Sequence, residues 1–191
     1  RIKFGTAQKL IETALEKAAK RAGVPKEEIE EMSVPDYGLQ KVGYLTEKIG
    51  DYSAEIAIRG TDDVVVRWFN SEGKQLKSTP ASVKKDFGEE IKEFNQTLKD
   101  IRQMLPAQRN RIDCLYLEQK RWKFDIWRER YLDHPLVGTI SRRLIWKFTD
   151  SNGIFSSGIW LDGRIVSSAG DEIDLSDPGT TVELWHPLDE A

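Results

Sequence analysis

Hydrophobic positions recur with two different periods along this chain, and the switches between them divide it into four segments. At the N-terminal end, apolar residues fall at helical spacing over residues 6–22, and Gly23 is a natural stop. A second short helix is predicted after Pro25. It should stop near Ser33, because a residue that precedes a proline avoids helical backbone angles. Residues 1–36 are therefore predicted to be helical.

A period of two replaces the helical period between residues 37 and 77. β-branched and aromatic residues dominate residues 52–58 and 64–69, and Asn70–Gly73 is typical of a turn. With residues 43–49 as a first strand, these segments predict a small antiparallel meander. Because an isolated strand pair is only marginally stable, we expect this sheet to pack on the helices.

The longest amphipathic pattern of the chain follows Pro80. Seven apolar residues step by three or four positions and so share one face of a helix. They are Val83, Phe87, Ile91, Phe94, Leu98, Ile101 and Leu105. Such a stripe can be a coiled-coil seam or the spine of a compact core, and its two phenylalanines favour the core. Pro106 is predicted either to kink this helix or to begin the next one.

Residues 78–143 as a whole are predicted to be helical, and the strand period returns in residues 144–188. Within the latter range, Asp150–Gly153 is a strong hairpin signal. The fold class is therefore α+β, with N-terminal helices, small antiparallel sheets, a long central amphipathic helix in a helical unit, and C-terminal antiparallel strands. The two strand regions can form one sheet or two. We expect a single domain over residues 1–191.

Composition narrows the class of protein. Of the 191 residues, 39% are hydrophobic and 32% are charged, which is typical of a folded protein with a strongly solvated surface. No apolar run approaches the ~18 residues of a membrane span, and no secretory signal is visible, so we expect a cytoplasmic location and no membrane partner. The single cysteine, Cys114, excludes an internal disulfide, and we expect its thiol to be buried. Because the first residue is not methionine, we expect an internal piece of a longer protein.

The net charge of −3 conceals an uneven distribution. Residues 107–147 carry ten Lys or Arg against five Asp or Glu, whereas residues 148–191 carry one arginine against nine acids. Either the basic segment docks near the acidic one within a single fold, or it forms a face for an anionic partner such as nucleic acid. The residues of this candidate binding surface are Arg109, Arg111, Arg121, Arg128, Arg142 and Arg143.

Two features of the basic segment weigh against nucleic acid. Trp122 and Trp127 are predicted to be core residues rather than stacking platforms, and interleaved acids dilute the positive field. We therefore expect the partner to be a protein or another domain of the same chain, and nucleic acid is the alternative.

Asp133 and His134 are the most suggestive pair for catalysis. An acid beside a histidine can orient it as a general base, but adjacent residues rarely aim their side chains at each other. The other interpretation is that the ring of His134 caps backbone groups before Pro135. His134 and His186 do not make a metal site without further ligands. No nucleophile elbow or phosphate-binding loop occurs. No catalytic residue, metal or cofactor is therefore assigned, and a hydrolase-like enzyme using Asp133 and His134 is a third hypothesis.

Several short motifs occur in an order that resembles one known family. They are Val-Pro-Asp-Tyr-Gly-Leu at 34–39, Trp-Phe-Asn-Ser-Glu-Gly-Lys at 68–74, Gln-Arg-Asn-Arg-Ile at 108–112, and His-Pro-Leu at 134–136 and 186–188. In this order, and over nearly the whole chain, they are similar to the uncharacterised domain at the C-terminal side of MolR-type proteins, which are described as regulators of molybdate metabolism.

The resemblance implies a regulatory role but no particular chemical reaction. Members often carry an upstream WGR domain, a module associated with nucleic acid, but no Trp-Gly-Arg tripeptide occurs in this chain. The family supplies no catalytic residues, and no molybdate-binding constellation is visible. We therefore expect a non-enzymatic interaction or regulatory domain of a larger MolR-like protein.

Overall fold

The structure is a computed structural model that describes residues 4–60 and 63–187, with side chains from residue 13 onward. Residues 1–3, 61, 62 and 188–191 lie outside this description, so the closing His-Pro-Leu motif is described only as far as Pro187. The chain forms two compact units, Arg1–Pro35 and Asp36–Ala191. The expectation of a single domain stays a prediction.

The α+β class is confirmed, and the elements follow the predicted order. The helices are α1 (Phe4–Ala22), α2 (Lys26–Met32), α3 (Ala81–Asp86), α4 (Gly88–Glu118), α5 (Phe124–Trp127), a π-helical turn (Arg128–Leu132) and α6 (Gly138–Ser141). The strands are β1 (Tyr44–Ile49), β2 (Tyr52–Ile58), β3 (Val64–Phe69), β4 (Gln75–Leu76), β5 (Arg121–Lys123), β6 (Trp146–Thr149), β7 (Phe155–Leu161), β8 (Arg164–Val166) and β9 (Thr181–Leu184).

The N-terminal unit contains the two predicted helices. Helix α1 ends before Gly23, which has a φ of +69° and so adopts a left-handed conformation that a larger residue avoids. The N–H of Val24 donates to the carbonyl of Ala19 at 3.2 Å, and Pro25 then precedes α2. Both helix boundaries lie within two residues of those that the sequence predicts.

The first sheet is the predicted meander, with strand order β1-β2-β3-β4. Antiparallel registers pair Leu45 with Ile56 and Ile56 with Val66, so the side chains of these residues share one face. On the same face Trp68 packs against Phe94 of α4, with ring centroids 5.8 Å apart. The sheet is therefore stabilised by burial against the long helix, as the marginal stability of a lone meander requires.

The long helix differs from the prediction at its start. It is interrupted at Phe87, whose φ of −129° and ψ of 49° separate α3 from α4. The Phe87 ring lies against Gly50 of the β1–β2 turn, where a Cβ would be 2.6 Å from a ring carbon. Pro106 does not begin a new helix, because α4 continues through it to Glu118. The expected burial of Cys114 is also wrong, since its thiol is exposed on α4.

The second sheet has five strands in the order β5-β9-β6-β7-β8 and is separate from the first. Strand β5 is a correction to the prediction, which placed only helix around Trp122. It pairs antiparallel with β9, at the far end of the chain, and Trp122 lies opposite Val182. A three-residue strand between two helices carries too short a pattern for its pairing to be read from the sequence.

Aromatic side chains fill the space between the second sheet and the preceding helices. Trp127 and Tyr131 are fully buried, and Trp146 and Trp122 are 1% and 5% exposed. The rings of Trp127 and Trp146 are 5.1 Å apart, and those of Trp122 and Tyr131 are 4.9 Å apart. The expectation that Trp122 and Trp127 belong to the core is confirmed.

Several hydrogen bonds connect the first sheet and its adjoining residues to later segments of the chain. The N–H of Gly43 donates to the carbonyl of Pro135 at 2.9 Å, and Arg102 donates to the carbonyl of Val64 at 3.2 Å. Arg143 donates to the carbonyl of Arg59. The His-Pro-Leu segment at 134–136 is thus joined directly to the first sheet.

Candidate functional site

The six arginines of the predicted binding surface all have partners within the chain. On α4, Arg109 lies 3.9 Å from the carboxylate of Asp113, and Arg111 donates to the hydroxyl of Tyr131 at 2.9 Å. The side chain of Arg143 donates to the carbonyl of Thr139 at 3.2 Å. The bond of Arg111 connects α4 to the π-helical turn, and the ion pair of Arg109 offsets part of the positive charge.

Arg128 and Arg142 converge on one carboxylate. Arg128 lies 2.8 Å and Arg142 lies 3.3 Å from oxygens of Asp133. Arg142 also donates to the carbonyl of Leu132 at 2.9 Å and lies over the ring of Trp160. The structure therefore brings Arg128 and Arg142 together. Both contact Asp133, an acid of the same basic segment.

Asp133 and His134 have different partners. The carboxylate of Asp133 is held by the two arginines, whereas Nδ1 of His134 accepts the N–H groups of Leu136 and Val137, each at 3.2 Å. The imidazole thus caps the backbone after Pro135, which is the structural interpretation of this motif. The geometry does not join the two side chains as an acid–base pair.

A row of three charged residues crosses the second sheet on the side opposite the aromatic core. Glu183 on β9 lies directly opposite Arg121 on β5 and Lys147 on β6. One carboxylate oxygen lies 2.8 Å from Nε of Arg121, and the other lies 3.1 Å from Nζ of Lys147. This row connects the basic segment to the acidic C-terminal part of the chain. We call this side of the sheet the outer face.

Large apolar side chains lie on the same outer face. Phe155 pairs with Thr149, and Ile159 pairs with Val166, so alternate residues of β7 point away from the aromatic core. Ile159 and Leu161 are 39% and 47% exposed. We call the four exposed side chains of this face the apolar strip. They are Ile145, Phe155, Ile159 and Leu161.

A groove of about 540 Å³ runs along three of the four residues of the apolar strip. Its walls include Ile145, Ile159, Leu161 and Trp185, and the turn of residues 167–170 forms its rim. Among the residues that the structure describes, no charged side chain lines the groove. A neighbouring pocket of about 530 Å³ contains the charged row together with Tyr116 and His186, whose rings are 5.7 Å apart. The groove therefore suits apolar groups, and the pocket suits polar ones.

Two carboxylates of the acidic C-terminal segment have lowered pKa values. Hydrogen bonds from the side chain and backbone of Ser176 lower the pKa of Asp174. Backbone N–H groups of Ser151 and Gly179 lower the pKa of Asp177, since both stabilise its ionised form. Asp174 and Asp177 therefore carry a negative charge at neutral pH.

Within residues 4–60 and 63–187, no group of three or more metal-ligating side chains converges. In the same ranges, no helix has the length and apolar character needed to cross a membrane.

The apolar strip was missed by sequence reasoning, although a signal was present. Near its end, strand β7 has bulky apolar residues at three consecutive positions. Trp160 points towards the aromatic core, whereas Ile159 and Leu161 point away from it. A strand with one solvated face needs apolar residues only on its core side, so packing of the core does not explain Ile159 and Leu161. The charged row could not be foreseen, because it depends on strand pairings between distant segments, 62 residues apart in the case of Arg121 and Glu183.

The geometry defines an α+β domain with an exposed, partly apolar sheet face. Comparison with known families assigns it further: residues 73–191 match the family model described as domain of unknown function DUF4132. Because the match covers more than half of the chain, this protein belongs to the DUF4132 family. No curated protein matches the chain significantly. No solved structure does so either.

Proposed function

We propose that this chain is a non-enzymatic interaction domain that binds a protein partner through the outer face of the second sheet. The observation that carries the proposal is the apolar strip. An antiparallel sheet with one solvated face normally places polar residues on that face. Here Phe155, Ile159 and Leu161 lie on the same side of a single strand, with Ser157 between the first two, and are each between 39% and 47% exposed.

The apolar strip is large enough to contribute substantially to the free energy of binding. Complete burial of a Leu, Ile or Phe side chain contributes roughly 1.5–3 kcal/mol, so covering four half-exposed side chains contributes about 3–6 kcal/mol before the costs of association. Clusters of exposed apolar side chains mark interaction sites in soluble proteins. The absence of charge from the groove walls favours a partner with apolar side chains at the centre of its contact surface.

A regulatory role in a MolR-type protein is the finer part of this proposal. The order of the motifs from residue 34 to the second His-Pro-Leu supports it. A domain without catalytic machinery would regulate by contact, and the outer face is the surface on which such contact would act.

Nucleic-acid binding is the alternative proposal. The ten Lys and Arg of residues 107–147, against five acids, support it. The internal partners of Arg128 and Arg142 weigh against it, because both guanidinium groups already lie beside Asp133. A steep loss of affinity with added salt would be its signature.

Site-specific photocrosslinking tests the interaction proposal. A benzophenone amino acid replaces Leu161 in the apolar strip, or Leu117 as the matched control. Leu117 is 87% exposed on α4. Cells that produce each variant are irradiated, and the crosslinked peptides are identified by mass spectrometry.

We expect the probe at position 161 to crosslink to one defined protein peptide, and the probe at 117 to give at most a diffuse background. Equal yields at the two positions would overturn the proposal, because the outer face would then behave like any exposed surface. Crosslinking to nucleic acid at position 161 would overturn it in favour of the alternative.

A further inference from the structure

We infer that a second groove, between the π-helical turn and strands β7 and β8, binds an amino acid with an apolar or aromatic side chain. Arg128 and Leu132 of the turn line it on one side, and Trp160 of β7 and Ile165 of β8 line it on the other. Its volume of about 520 Å³ is in the range of small-molecule sites. We call it the inner groove. It lies on the core side of the sheet, away from the outer face, so the inference goes beyond the proposed function.

Apolar side chains form most of the inner groove. They are Phe124, Leu132, Trp160, Ile165, Ile173 and Leu175. Phe124 and Trp160 are only half-buried, whereas Trp127 and Trp146 of the aromatic core are at most 1% exposed. Aromatic rings that the fold covers incompletely are suited to contact an apolar or aromatic side chain of a ligand.

The helical wall of the inner groove has one positive charge in excess. Arg128 lines the groove, and its Nε lies 2.8 Å from one oxygen of Asp133. Arg142 lies 3.3 Å from the other oxygen of the same carboxylate, and its guanidinium carbon is 4.7 Å from the centre of the Trp160 ring. Because two guanidinium groups share one carboxylate, a carboxylate of the ligand would balance the remaining charge.

The wall that residues 172–175 form has one negative charge in excess. Glu172 and Asp174 both line it, and the carboxylate of Glu172 is balanced by Arg164 at 3.8 Å. Asp174 accepts hydrogen bonds from the hydroxyl and the N–H of Ser176, which are neutral groups. These bonds lower the pKa of the Asp174 carboxyl, so it is ionised at neutral pH. An ammonium group of the ligand would balance this charge.

An α-amino acid carries the two groups that the walls call for, one carboxylate and one ammonium, beside a side chain that can contact the half-buried rings. A nucleotide or another polyanion does not match these walls, because Glu172 and Asp174 would repel its phosphates. An apolar amine would leave the arginine wall uncompensated, and an apolar carboxylic acid would leave Asp174 uncompensated. The charges therefore favour a zwitterion.

The unusual backbone of the π-helical turn coincides with the inner groove. Arg128 and Leu132 are the first and last residues of the turn. The N–H of Asp133 donates to the carbonyl of Arg128 at 2.8 Å, across five residues rather than the four of an α-helix. Because π-helical turns are rare and occur frequently at functional sites, this observation supports a binding site independently of the charges.

NMR titration of the purified chain with three matched probes tests the inference. L-phenylalanine has both charged groups, 2-phenylethylamine lacks the carboxylate, and 3-phenylpropionate lacks the ammonium group. The indole N–H signal of Trp160, assigned with a Trp160→Phe variant, reports occupancy of the groove. Probes of this size are expected to bind with a Kd of roughly 1–10 mM, so each titration extends to about 50 mM.

We expect L-phenylalanine to bind at least about fivefold more tightly than either probe with a single charge. Asp174→Asn should weaken L-phenylalanine by a similar factor and should not weaken 3-phenylpropionate. Arg128→Gln should weaken L-phenylalanine and 3-phenylpropionate but not 2-phenylethylamine. Asp171→Asn, which changes an exposed acid outside the groove, is the control and should alter none of the three affinities. Circular dichroism confirms that each variant is folded.

Three results would each overturn the inference. They are a Trp160 signal that does not respond to L-phenylalanine, a probe with a single charge that binds as tightly as L-phenylalanine, and an affinity for L-phenylalanine that Asp174→Asn leaves unchanged. None of these results affects the interaction proposal, because that proposal depends on crosslinking at position 161 of the outer face.

Discussion

The guanidinium carbon of Arg142 lies 4.7 Å from the centre of the Trp160 ring. The same side chain donates to the carbonyl of Leu132 and pairs with Asp133. Arg142 thus connects the segment after α6 to the π-helical turn and to β7. These contacts make it a structural residue, and its role on a binding surface stays a prediction.

Replacement of Arg142 by Glu should therefore reduce stability. The change removes the bond to the Leu132 carbonyl and the cation–π contact, and it places a second carboxylate beside Asp133. We expect a loss of about 2–4 kcal/mol in the free energy of unfolding, measured by urea denaturation. Arg109→Glu, on the exposed surface of α4, is the control and should change it by less than about 0.5 kcal/mol.

If both variants were equally stable while nucleic-acid binding disappeared only in Arg142→Glu, the structural assignment of this arginine would be wrong.

Gly138 should not tolerate a side chain. A Cβ there would lie 2.7 Å from the carbonyl oxygen of Leu132 and 3.0 Å from a methyl group of Val42. We expect Gly138→Ala to destabilise the fold by about 1–3 kcal/mol, because a backbone oxygen cannot move without disturbing the π-helical turn. Gly88→Ala is the matched control. A Cβ at that position, the first of α4, meets open space, so thermal unfolding should show equal or slightly higher stability.

The pH dependence of the free energy of unfolding should show the contribution of Glu47. Burial, and secondarily the charge of Glu93, raise the pKa of its carboxyl above the ordinary value. A raised folded-state pKa contributes stability that is complete at pH values below the unfolded pKa and is lost as the pH rises through the folded pKa. The Glu47→Gln substitution removes the loss of stability that ionisation of the Glu47 carboxyl causes. After allowance for solvent screening, we expect the variant to be about 0.5 kcal/mol more stable than the wild type at pH 7.

This advantage should shrink towards pH 4, and added salt should reduce the part due to Glu93. Denaturant titrations at pH 4 and pH 7 provide the check, with Glu72→Gln in the exposed β3–β4 turn as the control. An advantage that grows on acidification would contradict the assignment.

The backbone cap made by His134 should be measurable without any enzymatic assay. Its Nδ1 accepts two backbone N–H groups. We expect His134→Ala to cost about 1–2 kcal/mol of unfolding free energy. Amide hydrogen exchange at Leu136 and Val137 should accelerate selectively, while His186→Ala should leave these two amides unchanged. Unaltered amide hydrogen exchange at Leu136 and Val137 in the His134→Ala variant would contradict the capping role of His134.

Much of the fold was predictable because its signals are local. The two N-terminal helices, the meander and the C-terminal hairpins each depend on short-range periodicity and turn residues. The break at Phe87 was not predictable, since it depends on the approach of its ring to Gly50, a residue 37 positions earlier. Strand β5 was missed for a similar reason, because its partner β9 lies about 60 residues away.

The candidate site was less predictable than the fold. Charge counts identified the basic segment but not the internal partners of Arg111, Arg128 and Arg142. Whether a side chain pairs within the fold or faces solvent depends on tertiary geometry. The outer face depends on strand order, and strand order is a long-range property that local patterns do not contain.

Hydroxyl-radical footprinting in intact cells tests most directly whether the outer face is covered in the working protein. Oxidation of Phe155, Ile159 and Leu161 is compared with that of Leu117, in cells and in the purified chain at about 1 μM. We predict that the three outer-face residues are several-fold less oxidised in cells, whereas Leu117 is oxidised equally in both states. Equal oxidation of the outer face in the two states would contradict the account.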